Sequence, residues 1–69
     1  MIKLRYIRPD ETGENFRYVT ALMIEARVRG YPLMVNSAID LSGACKFSVY
    51  MNRIIDWLVT SYPNEFQLD

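Results

Sequence analysis

From Ala44 to Tyr62 the apolar residues return with a period that one kind of element satisfies. Ala44, Phe47, Met51, Ile54, Ile55, Leu58 and Tyr62 fall on one side of a helical wheel, and Ser48, Asn52, Asp56 and Thr60 fall opposite. A strand reading of "CKFSVYM" accommodates the alternation of Cys45, Phe47, Val49 and Met51, but it leaves residues 52–62 unexplained. A single helix over about 43–62 accounts for the whole stretch. Asp40 or Ser42 would cap its start, and Pro63 ends it. So wide an apolar face has to be buried, and this requirement shapes the reading of everything upstream.

The first residues, "MIKLRYIR", alternate, with Ile2, Leu4 and Tyr6 facing one way and Lys3 and Arg5 the other. That is the pattern of a strand packed on one face, over about 1–8, stopped by Pro9. "PDETGEN" supplies turn residues, with Thr12 or Asn15 as a cap and Glu14 suited to the positive end of a helix dipole. Two periods compete from Phe16 to Arg29. A strand would align Phe16, Tyr18, Leu22, Ile24, Ala26 and Val28, whereas a helix would align Phe16, Val19, Leu22, Met23 and Ala26. The stop signal "RVRGYP" favours a helix over about 14–29, with cations in its last turn, Gly30 at a left-handed position and Pro32 beyond. Glu25 also precedes Arg29 at the helpful spacing of four. "LMVNSAI" reads as a strand over about 33–39, which a crossover through one helix would set parallel to the first. In the tail, "NEFQLD" alternates Phe66 and Leu68 with polar neighbours, so it has the makings of a third short strand.

The expected fold is therefore a single small α+β domain over residues 1–69. It has β-α-β-α order, with two amphipathic helices packed on a short sheet and room for a C-terminal strand. A chain of 69 residues buries only about 60% of its unfolded surface, so its margin is thin. Such domains commonly lean on disulfides, a metal or a second subunit. One cysteine and no histidine exclude an internal disulfide and a Cys/His zinc site, so the reading assigns no metal and no cofactor. Packing and self-association remain, and the expectation is a homodimer with strands or the last helix at its two-fold interface.

Formal net charge is zero, which argues against a dominant polyanion-binding role. Residues 1–30 nevertheless carry six cations against four acids, and the remainder two against four. Mild attraction within the fold explains this, and head-to-tail self-association is the sharper alternative. No apolar run approaches the roughly 18 residues of a membrane span. The first residues lack the apolar stretch of an export signal, and the lone thiol suits a reducing compartment, so the expectation is cytoplasmic with no membrane partner.

Four constellations are candidates for chemistry or binding. Lys46, Tyr50, Arg53 and Trp57 form a stripe of alternating cation and ring along the border of the last helix's apolar face. Tyr, Trp and Arg are enriched in binding hot spots, so this border is a candidate partner-binding surface, although rings and snorkelling cations also commonly line the wet margin of a core. Lys3, Arg5, Arg8 and Arg17 gather on or near the first strand and are the nucleic-acid candidate, where aromatic neighbours would stack on bases and cations would meet phosphates. Outward cations also protect an edge strand from unwanted pairing. Cys45 sits in the first turn of the last helix without a histidine base or resolving cysteine, as a small inert thiol would. Asp10, Glu11 and Glu14 match no calcium-loop spacing and suit a helix start without any ligand.

Phosphate loops, nucleophile elbows and histidine acid–base catalysis are all missing from the sequence. The functional expectation is a non-enzymatic protein-binding module of the inhibitor or adaptor type. A small nucleic-acid-binding or regulatory protein using the basic strand face is the alternative.

Overall fold

A computed structural model describes residues 1–9, 16–32 and 47–69. Their elements run in the order β1 (Ile2–Leu4), α1 (Phe16–Val28), α2 (Phe47–Ser61) and β2 (Phe66–Leu68). The class is α+β, with two helices packed on a two-stranded sheet. The strands are parallel, and Ile2, Lys3 and Leu4 stand beside Phe66, Gln67 and Leu68. At the ends of the ladder, the Ile2 N–H donates to the Glu65 carbonyl and the Asp69 N–H donates to the Leu4 carbonyl, both at 2.8 Å. Parallel neighbours need a long crossover. Here both helices lie within it, and among the described residues the tail is the strand that pairs with β1. The strand expected over 33–39, the cap residues Thr12, Asn15, Asp40 and Ser42, and positions 43–46 of the last helix lie outside the described residues.

Helix α2 supplies the centre of the core. Met51, Ile54, Ile55 and Leu58 are all fully buried, as their shared arc requires. Leu22 and Ala26 of α1, Leu4, Ile7 and Phe66 complete the cluster. Side chains expected on the polar side of α2 are drawn in as well. Ser48 is buried, and Asn52 is half-buried because its amide reaches the chain beyond β1.

That contact corrects the reading of the first strand. The alternation extends to about residue 8, but β1 ends at Leu4, and Ile7 rather than Tyr6 enters the core. Side chains from both helices take over the backbone groups there. The Arg5 N–H donates to the Tyr18 hydroxyl at 2.9 Å, and that hydroxyl donates to the Arg5 carbonyl at 2.7 Å. The Ile7 N–H donates to the Asn52 side-chain oxygen at 2.8 Å, and the Asn52 amide donates to the Ile7 carbonyl at 3.0 Å. With those groups satisfied, the chain needs no further ladder and turns, which leaves Tyr6 outside to donate its hydroxyl to Asp56.

The end of α1 follows its sequence signal. Gly30 has a φ of 91°, in the left-handed region. The Gly30 N–H donates to the Arg27 carbonyl and the Tyr31 N–H to the Ala26 carbonyl, each at 3.0 Å, which is the double bond pattern of a Schellman stop. Arg29 pairs with Glu25 at 2.6 Å, as the spacing of four predicted. Phe16, expected to face inward, is instead 72% exposed, while Tyr18 turns toward the core and the Arg5 backbone.

Candidate protein-docking site

Two members of the ring-and-cation stripe of α2, Tyr50 and Trp57, pack against the core. Trp57 is half-buried between Tyr31, with ring centroids 5.0 Å apart and tilted 57°, and Tyr62, at 5.6 Å and 45°. Tyr31 is delivered by the stop after Gly30, and Tyr62 stands immediately after α2. Tyr50 is half-buried and packs against the core. Arg53 is exposed, and the ring partners of Trp57 are tyrosines rather than this arginine. Lys46 lies outside the described residues, as do Cys45, Asp10, Glu11 and Glu14.

The cation that meets the ring cluster is Arg29. Its guanidinium lies 5.3 Å from the Tyr62 ring centroid and 4.8 Å from that of Phe66. It also pairs with Glu65 at 3.2 Å, in addition to Glu25. Desolvation pulls the Arg29 pKa down, but hydrogen bonds and attraction from Glu25 and Glu65 outweigh it, and the net shift is upward. The permanently charged group therefore ties the end of α1 to the turn before β2. The spacing of four marks its pairing with Glu25, whereas Glu65 is remote in sequence and no local pattern points to it.

The basic set is partly engaged within the fold. Lys3, Arg8 and Arg17 are exposed. Arg5 folds over the Tyr18 ring at 4.9 Å, while its backbone engages the hydroxyl of the same tyrosine. A cation and the ring beside it are thereby matched to each other.

Between β1 and α1 runs a groove of about 320 Å³, lined by Ile2, Lys3, Leu4, Tyr18, Ala21, Leu22, Glu25 and Phe66. Ile2 and Leu4 direct their backbone groups to β2, so the alternation of a parallel ladder turns those of Lys3 the other way. Tyr18 and Asn52 already hold the peptides of Arg5 and Ile7. Within the described stretch after Ile2 the outer edge thus offers one residue's worth of ladder bonds, too few to hold an added strand.

The more substantial surface is the outward side of α1. Phe16, Thr20, Ile24 and Val28 follow one another at intervals of four and form a single ridge about 18 Å long. Phe16, Ile24 and Val28 are 72%, 55% and 76% exposed. Arg17 and Arg27, both exposed, flank the ridge on opposite sides, one near each end. The described part of α1 has one acid, Glu25, which stands two turns beyond Arg17 on the same flank and is paired with Arg29. Ile24 and Val28 went unassigned as binding residues in the sequence. Their signal was the strand alignment competing with the helical one, because a helix with two apolar faces satisfies neither period cleanly.

Among the described residues no three His, Cys, Asp or Glu side chains gather as a metal site, and no helix is long and apolar enough to cross a membrane. No family model, no curated protein and no solved structure matches the chain.

Proposed function

We propose that the chain is a non-enzymatic protein-binding module, of the inhibitor or adaptor type, and that it docks through the outward ridge of α1. The observation that carries this reading is the exposure of Phe16, Ile24 and Val28 along one helical row. Isolated exposed apolar residues are ordinary, but their alignment into a ridge gives a partner a continuous surface to cover. In α2, by comparison, Met51, Ile54, Ile55 and Leu58 are buried, and the exposed apolar residues, Phe47 and Val49, are confined to its first turn. The chain holds no histidine and a single cysteine, which leaves little acid–base or thiol chemistry to compete with this reading.

Self-association is the simplest use of such a ridge, and the expected homodimer moves there from the strands and α2. The test compares proteins retained from a native lysate by the wild-type chain and by Ile24→Glu/Val28→Glu, with light scattering on both. Proteins, or a second copy, retained by the wild type and lost by the variant support the reading. Identical retention and identical mass for the two chains overturn it.

A further inference from the structure

We draw no further inference here: the strongest candidate, the exposed apolar ridge of Phe16, Ile24 and Val28 on α1, belongs to the docking face already proposed, and nothing in the structure shows what covers it.

Discussion

Asn52 and Tyr18 perform the same task at neighbouring points of the chain, each closing both hydrogen bonds of one backbone residue. Their surroundings differ, however. The Asn52 pair with Ile7 is partly buried beside the core, whereas the Tyr18 pair with Arg5 is exposed. Removing a partner from a buried peptide costs its desolvation, while water replaces the partner of an exposed one. Asn52→Ala should therefore destabilise by about 2 kcal/mol and lower Tm by roughly 10 °C. Tyr18→Phe should cost less than about 1 kcal/mol, and paired thermal melts check the ordering. Asn52→Asp should resemble the alanine variant, because one carboxylate oxygen would then face the Ile7 carbonyl. The Tyr6 hydroxyl gives a pH signature. Its hydrogen bond to Asp56, with smaller effects of burial and of that carboxylate's charge, raises its pKa above the ordinary tyrosine value. The folded chain then keeps a proton that the unfolded chain releases near pH 10, so this contribution is complete below about pH 10 and is lost as pH rises through the folded pKa. Tm measured from pH 8 upward should fall more steeply in the wild type than in Tyr6→Phe; parallel curves would show that the pair carries no such linkage.

At the scale of elements, the clearest test is the stop of α1. An added Cβ at Gly30 would meet nothing within 4 Å, so the cost of Gly30→Ala is conformational and not steric. A non-glycine residue held at a φ of 91° should lose about 1 kcal/mol, and Gly30→Asn should lose less because asparagine tolerates the left-handed region. Melting curves for the two variants separate them from any packing effect. This stop was legible because its signals are local: cations in the last turn, a glycine and then a proline. The helical nature of α2 was legible for a similar reason, since one apolar face gives one period. Helix α1 was harder to read, because Ile24 and Val28 outside and Leu22 and Ala26 inside make two faces. The end of β1 was not legible at all. It is set by Tyr18 and Asn52, which are 13 and 45 residues away from the groups they hold, and no local pattern records such partners. The internal partners of the α2 ring border were hidden for the same reason, because Trp57 takes as one neighbour a tyrosine delivered from the far end of α1.

Taken as a whole molecule, the fold closes by laying its last strand beside its first. The tail's alternation of Phe66 and Leu68 announced a strand, but only the fold reveals that it pairs in parallel with β1 and that the two side chains are unequal. Phe66 is buried against the core with the Arg29 guanidinium over its ring, whereas Leu68 is 40% exposed. Truncating a buried phenylalanine costs about 3–5 kcal/mol, and a domain of this length has only about 3–10 kcal/mol in total. Phe66→Ala should therefore remove between a third and all of the stability, while Leu68→Ala should cost less than about 1 kcal/mol. Deleting residues 65–69 goes further, since it removes the ladder, the Phe66 anchor and the Glu65 partner of Arg29 at once. That chain should be unfolded at room temperature. The demanding observation is the coincidence of two signals during urea unfolding of the intact protein. Near-ultraviolet dichroism of Trp57, set between Tyr31 and Tyr62, reports the tertiary contacts, and far-ultraviolet dichroism reports the helices. If the tail is integral to one cooperative unit, both signals should disappear at one urea midpoint in the wild type, and at one lower midpoint in Phe66→Ala if that variant still folds. Helical signal persisting in the truncated chain after the Trp57 signal has gone would mean that α1 and α2 form a unit of their own and that the parallel pair is an addition to it.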